Sequence, residues 1–195
     1  MTFNDDYWSD LYNKDETGWD IGAISTPLKE YFDQIEDKNL RILIPGCGNA
    51  YEAEYLLKAG FTSITLVDIS RALVEQLERR FYPTYQQQLT LVHADFFELE
   101  GNYDLIVEQT FFCALDPKMR RDYSLKMNQL LSENGRLAGV MFNRSFGDDG
   151  PPFGGTKDEY VEHFSDHFNL KHFTDCYNSI PPRQGSELFI CLTKK

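Results

Sequence analysis

Residues 40–51 read Leu40-Arg41-Ile42-Leu43-Ile44-Pro45-Gly46-Cys47-Gly48-Asn49-Ala50-Tyr51. The apolar run from Leu40 to Ile44 predicts a short strand that ends at Pro45-Gly46, and residues 50–59 have the spacing of a helix. Glycines let the backbone approach a ligand closely where a Cβ atom would clash. This stretch therefore predicts a strand, a glycine turn and a helix. The turn either meets a ligand or is simply a tight connection.

The same alternation of strand and helix continues along the chain. Predicted strands cover residues 63–67, 89–93, 103–107 and 136–142, with predicted helices at 71–81 and 117–131. Strands separated by helices at this spacing imply right-handed crossovers and a mainly parallel sheet.

The end of the chain follows a different pattern. A Gly/Pro-rich loop at 147–155 leads to a predicted helix at 157–168, and strands at 170–177 and 186–193 are joined only by a turn. Two strands without a helix between them pair antiparallel. The predicted fold is α/β: a Rossmann-like, seven-stranded, mainly parallel sheet with helices on both faces and a C-terminal antiparallel hairpin.

Length and charge narrow the kind of protein. The chain has 195 residues, of which 42% are hydrophobic, which fits one domain spanning 1–195. Its formal net charge of −12 disfavours nucleic acid and anionic membranes as partners. The first residues lack the pattern of a signal peptide, and no apolar stretch is long enough to span a bilayer, so we expect a cytoplasmic protein.

Cysteines and histidines give no metal motif. The four cysteines are scattered and form no CxxC pair, so neither a disulfide framework nor a zinc site is expected. His163 and His167 are four residues apart on a predicted helix, which could place them on one face as ligands. No HExxH context surrounds them, and we expect no metal.

Acidic residues follow consecutive predicted strands. Asp68 closes the second strand, Asp95 the third and Glu108 the fourth. Each alone fits an acidic loop residue facing water, but together they lie on the carboxyl edge, where open sheets bind ligands. Asp68 can accept hydrogen bonds from both hydroxyls of a ribose. Asp95 can accept one from the amino group of an adenine, while Phe96 packs beside the adenine ring. Glu108 would lie beside the reacting centre.

These segments resemble the successive motifs of class I methyltransferases, namely residues 44–48, 67–70, 95–96 and 104–108. Further segments resemble the thiopurine S-methyltransferase family, with the closest likeness to its halide and thiol methyltransferase branch. They are Trp8, Tyr12, residues 18–20, residues 111–120 and residues 150–153. The resemblance extends from about Tyr7 to the C-terminus and implies S-adenosyl-L-methionine as cofactor, with S-adenosyl-L-homocysteine as product.

The resemblance also implies roles for single residues. Residues 1–35 would form a lid over the cofactor, and Gln109 would line the methyl-transfer site. The cofactor would be held by Trp8, Tyr12, Trp19, Gly46, Asp68, Asp95, Phe96, Glu108 and Gln109. Within that set, Gly46 would lie against the methionine part, Asp68 on the ribose, and Asp95 with Phe96 on the adenine.

The expected reaction moves a methyl group to a small soft nucleophile (a thiol, thiopurine, thiocyanate or halide) by in-line displacement without a metal. A small apolar pocket is expected to be walled by Phe111, Phe112, Pro152 and Phe153. Gln109 and Arg183 are the candidate catalytic residues, and Arg183 could orient an anionic substrate, although its sequence context favours an ordinary exposed loop arginine. The sequence contains no signal for an oligomeric state.

Two other functions stay open at this point. An NAD-dependent oxidoreductase would use Asp68 in the same way, but Tyr51 stands where its glycine fingerprint has a third glycine. A non-catalytic relative that binds the cofactor would share the fold, since fold alone does not establish activity.

Overall fold

The computed structural model describes residues 3–147 and 150–195. Within them the strands are β1 (Ile42–Pro45), β2 (Ile64–Asp68), β3 (Leu89–His93), β4 (Tyr103–Gln109), β5 (Leu131–Phe142), β6 (Phe168–Asp175) and β7 (Glu187–Lys194). The helices are α1 (Asp5–Asn13), α2 (Thr26–Asp33), α3 (Tyr51–Lys58), α4 (Arg71–Tyr85), α5 (Arg120–Leu130) and α6 (Lys157–Phe164).

In the described part of the chain, the strands form one seven-stranded sheet in the order β3-β2-β1-β4-β5-β7-β6. Strands β1 to β5 are parallel to one another, whereas β7 is antiparallel to both β5 and β6. This confirms the predicted sheet and its C-terminal hairpin. Because β2 and β4 flank β1, the chain crosses in opposite directions on its two sides, which opens a crevice at the carboxyl ends.

Side chains of the sheet alternate between two cores. Ile42 and Ile44 of β1 pack with α2, α3 and α4 on one face. Leu43, between them, packs with α5 and α6 on the other face. Alternation of this kind is a consequence of the strand's two-residue period. The alternation along β1 fixes the direction in which the glycine turn leaves this strand. Helices cover both faces of the sheet, as predicted.

The predicted helix over 157–168 is too long. Helix α6 ends at Phe164, and Phe168 is already a buried residue of β6. His163 and His167 therefore do not share a helix face. His163 lies 3.9 Å from a carboxylate oxygen of Glu159, whereas the carbonyl of His167 accepts a hydrogen bond from Asn128 at 2.8 Å.

Residues 3–147 and 150–195 contain neither a metal-binding cluster nor a membrane-spanning helix. No three His, Cys, Asp or Glu side chains come together in a way that could hold a metal ion. No described helix combines the length and apolar character needed to cross a bilayer.

The N-terminal segment is bonded to the ends of β2 and β3. Asp5 accepts a hydrogen bond from the backbone N–H of Arg71 at 2.9 Å, and Nε2 of His93 lies 3.2 Å from the same carboxylate. Further on, Asp20 accepts hydrogen bonds from Asn49 and, at 3.1 Å, from the hydroxyl of Tyr51. The segment thus lies over the carboxyl edge of the sheet. Residues 1–2 of the expected lid, 1–35, fall outside the described residues.

Candidate active site

A cavity of about 840 Å³ opens at the carboxyl ends of the strands, beneath α1 and the Gly18–Asp20 turn. This volume is in the range of small-molecule and cofactor sites. It is lined by many of the residues expected from sequence: Trp8, Tyr12, Trp19, Gly46, Asp68, Asp95, Phe96, Gln109, Phe111, Pro152 and Arg183.

The glycine turn after β1 forms one wall. Gly46 and Gly48 have φ values of 54° and 51°, a conformation that residues with side chains rarely adopt. A Cβ atom on Gly46 would overlap the ring of Phe111. Glycine is therefore required here by backbone conformation and by the close approach of an aromatic ring.

Asp68 joins the ends of β1 and β2. Its Oδ2 accepts a hydrogen bond from the N–H of Gly48 at 3.3 Å, and its Oδ1 accepts one from the N–H of Ser70 at 3.0 Å. The residue is 8% exposed, and burial raises its pKa to about 6 against the opposing effect of these N–H donors. Each carboxylate oxygen keeps further acceptor capacity toward the cavity.

Asp95 and Phe96 lie at the end of β3. Asp95 is exposed at the cavity rim and accepts a hydrogen bond from the N–H of Phe97 at 2.9 Å. The ring of Phe96 is buried, with its centroid 5.3 Å from that of Phe111 in an edge-to-face arrangement. An exposed acceptor beside an aromatic ring suits a polar, planar base.

Aromatic rings of the N-terminal segment cover the cavity. Trp8 and Trp19 meet edge to face with centroids 5.5 Å apart, and Tyr12 meets Trp19 at 5.9 Å. Burial and the neighbouring Asp68 raise the pKa of Tyr12, so its phenol stays neutral. These rings and the glycine turn line the same cavity.

Gln109, at the end of β4, and Arg183, shortly before β7, lie on the cavity wall. The amide oxygen of Gln109 accepts a hydrogen bond from the Ser25 hydroxyl at 2.8 Å. The Arg183 side chain is 12% exposed, and its guanidinium lies 5.0 Å from the ring centroid of Phe142. It donates to a carboxylate oxygen of Glu187 at 3.4 Å. Arg183 is therefore a largely buried cavity residue, and the exposed loop arginine expected as the alternative is wrong.

Glu108 does not line the cavity, contrary to expectation. It is 0% exposed, and its two oxygens accept hydrogen bonds from the N–H of Phe112 at 3.0 Å and from the hydroxyl of Tyr123. Burial raises its pKa to about 7. Because neighbouring strand residues face opposite sides, Gln109 points to the cavity and Glu108 points to α5.

Phe112 and Phe153 also turn away from the cavity. Phe112 packs edge to face on Tyr160 with centroids 5.1 Å apart, and Phe153 packs similarly on Phe3 at 5.8 Å. In each case the preceding residue of the predicted pair lines the cavity instead. Two of the four residues expected to wall the pocket, Phe112 and Phe153, therefore do not line it, and the residue before each of them does.

Arg120 holds the loop that carries Pro152. It is 2% exposed, donates to the carbonyl oxygen of Gly154 at 2.7 Å, and forms an ion pair with Glu159. This role of Arg120 was not expected from the sequence, because an arginine early in a helix is normally exposed to solvent. Its buried position makes it a positioning residue for one side of the cavity.

Glu52 is a further cavity residue that sequence analysis missed. It is 5% exposed, lines the cavity, and has a pKa raised to about 7 by burial. The available signal was its place four residues after Gly48, on the first turn of the helix that follows the glycine turn. Residues of that turn face the carboxyl edge of the sheet.

Sheet order, glycine turn and strand-end acids together define a class I methyltransferase fold. The Burkholderia thailandensis 1,6-didemethyltoxoflavin-N1-methyltransferase, solved with 1,6-didemethyltoxoflavin and S-adenosylhomocysteine, superposes with a TM-score of 0.74. It is 18% identical to this chain, and the match covers 96% of this chain and 85% of that one.

The family is shown by sequence. The model of the thiopurine S-methyltransferase family matches residues 3–189, and the chain belongs to that family. An Arabidopsis thaliana protein named probable thiol methyltransferase 2 is 28% identical over 92% of this chain and 81% of its own length. Thiocyanate methyltransferase 1 of Brassica oleracea is 30% identical over 75% of this chain and 66% of its own length.

Membership of this family makes the protein an S-adenosylmethionine-dependent methyltransferase. The predicted enzyme class and cofactor are confirmed, and the oxidoreductase alternative is removed.

Proposed function

We propose that the protein methylates a small thiolate or a comparable soft anion, such as thiocyanate, a thiopurine or a halide. The methyl donor would lie across the carboxyl ends of β1, β2 and β3. Two relatives are named as a probable thiol methyltransferase and a thiocyanate methyltransferase, and the proposal extends these acceptor classes to this chain.

The described residues fit the proposed cofactor. The turn at Gly46 offers backbone without side chains, Asp68 offers carboxylate oxygens for ribose hydroxyls, and Asp95 with Phe96 offers an acceptor beside an aromatic ring. When bound, S-adenosylmethionine supplies an electrophilic methyl group that a soft anion can take by in-line displacement.

The observation that carries the acceptor assignment is the position of Arg183. The chain has a net charge of −12, yet the largely buried guanidinium of Arg183 lies on the cavity wall, 5.0 Å from the ring centroid of Phe142. Among the residues that the structure describes, two of its five N–H groups are used, one by the carbonyl of Trp19 and one by the carboxylate of Glu187, with which it also forms an ion pair. The remaining donors and the charge suit an anion.

The rest of the pocket suits a nucleophile that needs little activation. Phe111 and Pro152 contribute apolar surface, which desolvates an anion and aligns it. A thiol with an ordinary pKa near 8.5 already supplies some thiolate at neutral pH, and thiolate is the competent nucleophile. A Lewis acid is therefore not required for this acceptor class.

We also propose that residues 1–195 form one domain, in which residues 1–35 close over the bound cofactor. The rings of Trp8, Tyr12 and Trp19 over the glycine turn support this lid. Its closure would keep water from the transferred methyl group.

An acceptor panel tests the proposal. Hydrosulfide, thiocyanate, 6-mercaptopurine, an aryl thiol and iodide would be compared with a catechol and a carboxylate, with S-adenosylhomocysteine release as the measurement. We expect turnover with soft anions, unchanged by EDTA. A preference for the catechol or carboxylate, or restoration by a divalent cation after EDTA, would contradict it. Protein that binds S-adenosylhomocysteine yet turns over none of these would be the non-catalytic relative.

A further inference from the structure

Glu52 is a cavity carboxyl without a side-chain partner. It is the second residue of α3 and is 5% exposed. Among residues 3–147 and 150–195, no side chain forms a hydrogen bond or ion pair with it. A buried carboxyl is costly unless its acceptors are used or its charge is paired. Its position on the cavity wall therefore indicates that a ligand group completes it.

The charges around Glu52 come from several segments. The backbone of Ser25 and the charge of Arg183 stabilise its ionised form, whereas burial and the charge of Asp20 disfavour that form. The thiol of Cys47, in the glycine turn, is also within electrostatic reach of Glu52. Burial has the largest effect, and the pKa of Glu52 rises to about 7. Of these charged groups, Arg183 alone is a cation.

We propose that Glu52 binds the α-ammonium group of the methionine part of S-adenosylmethionine. The inference rests on the proposed placement of that part against Gly46. Glu52, at the start of α3, lines the same cavity as Gly46 in the turn that precedes this helix. An ammonium carries three donors and a full positive charge, which a buried carboxylate can accept through short, charge-assisted hydrogen bonds.

Arg183 does not fill this role in the protein alone. Its Nη1 donates to Glu187 at 3.4 Å and its Nη2 to the carbonyl of Trp19 at 2.8 Å, and it has no direct contact with Glu52. The arginine is therefore paired with Glu187, and Glu52 is left to a cation from the ligand. A role for Glu52 as proton acceptor for a thiol is the competing assignment.

Calorimetry with two ligands separates these roles without any acceptor present. The probes are S-adenosylhomocysteine and its analogue in which hydrogen replaces the α-amino group. In Glu52→Gln we expect the affinity for S-adenosylhomocysteine to fall roughly 10- to 100-fold and that for the analogue to change little. Glu75→Gln, on the exposed face of α4, is the matched control and should bind both ligands like the wild type.

A second readout uses the wild-type protein alone. Binding of the ammonium should draw the proton from Glu52, so titrations at pH 7 in buffers of different ionisation enthalpy should report release of roughly half a proton. The preference for S-adenosylhomocysteine over the analogue should also grow between pH 6 and 8. Equal losses for both ligands in Glu52→Gln, or a preference that does not change with pH, would overturn the assignment. Because neither readout involves methyl transfer, an error in the proposed acceptor would leave both unchanged.

Discussion

Nη2 of Arg183 donates a hydrogen bond to the carbonyl oxygen of Trp19 at 2.8 Å. This bond joins the connection before β7 to the N-terminal segment, although the two residues are far apart in sequence. Trp19 also packs against Trp8 and Tyr12 over the glycine turn. The position of the lid and the orientation of the arginine are therefore mechanically linked, and closure of the lid over the cofactor should help to set the anion site.

Replacing Arg183 tests the acceptor site. We expect Arg183→Gln to raise KM for a thiol acceptor roughly 10- to 100-fold, because a charge-assisted contact to the anion is lost. It should also move the pH–rate profile upward, since the bound thiolate is no longer favoured. Arg121→Gln, an exposed change on α5, is the control. An unchanged KM and pH profile in a folded Arg183→Gln variant would place the anion elsewhere.

Asp68 is predicted to hold the cofactor ribose. Asp68→Ala should weaken S-adenosylhomocysteine binding by about 1.5–3 kcal/mol in calorimetry, since charged hydrogen bonds to both hydroxyls disappear. The variant also loses the Asp68 contacts to Gly48 and Ser70, so its thermal unfolding must be recorded as well. Asp122→Ala, exposed on α5, serves as the matched variant. Undiminished affinity after Asp68→Ala would refute the placement.

The lid should respond to the cofactor. Residues 5–20 are joined to the rest of the protein by hydrogen bonds such as Asp5 to Arg71 and by the buried ring of Tyr12, and we expect this short edge segment to open more readily than the central sheet in the free protein. Hydrogen exchange should show stronger protection of Trp8 to Trp19 after addition of S-adenosylhomocysteine. Equal exchange with and without ligand would count against a lid, whereas β1 should be protected in both states.

The buried carboxyl of Glu108 should make stability depend on pH. Its folded pKa is raised to about 7 by burial, well above the ordinary value near 4.3. Folding therefore takes up a proton between these values, and the free energy of unfolding falls as pH rises through this window. We expect Glu108→Gln to flatten that fall by up to about 1.4 kcal/mol per pH unit in urea titrations. The control Glu75→Gln should keep the wild-type slope of the free energy of unfolding against pH. The same slope in Glu108→Gln would show that Glu108 does not hold the proton.

The sheet and the glycine turn could be predicted because they depend on local signals. Runs such as 40–44 repeat with helical segments between them, and few topologies fit that order. The direction of single side chains at strand ends was harder to predict. Glu108 and Gln109 are adjacent in sequence, and strand alternation turns Glu108 toward the core, where the hydroxyl of Tyr123 in α5 donates to it.

The missed residues Glu52 and Arg120 illustrate the same limit. Charged residues early in helices are usually solvated, and nothing local distinguishes these two. Their neighbours are distant in sequence: the backbone of Ser25 bonds to Glu52, and the carbonyl of Gly154 accepts a hydrogen bond from Arg120. Tertiary packing, which sequence patterns do not encode locally, decides such positions.

The central claim is that the acceptor reacts as an anion bound in the Arg183 pocket. The most direct measurement is the pH dependence of kcat/KM for a series of thiols whose own pKa values differ by roughly three units. The account predicts that the inflection follows the pKa of each thiol, displaced downward by a constant amount that Arg183→Gln removes. An inflection that stays near pH 7 for every thiol would contradict it, because a protein group such as Glu52 would then be taking the proton from a neutral acceptor.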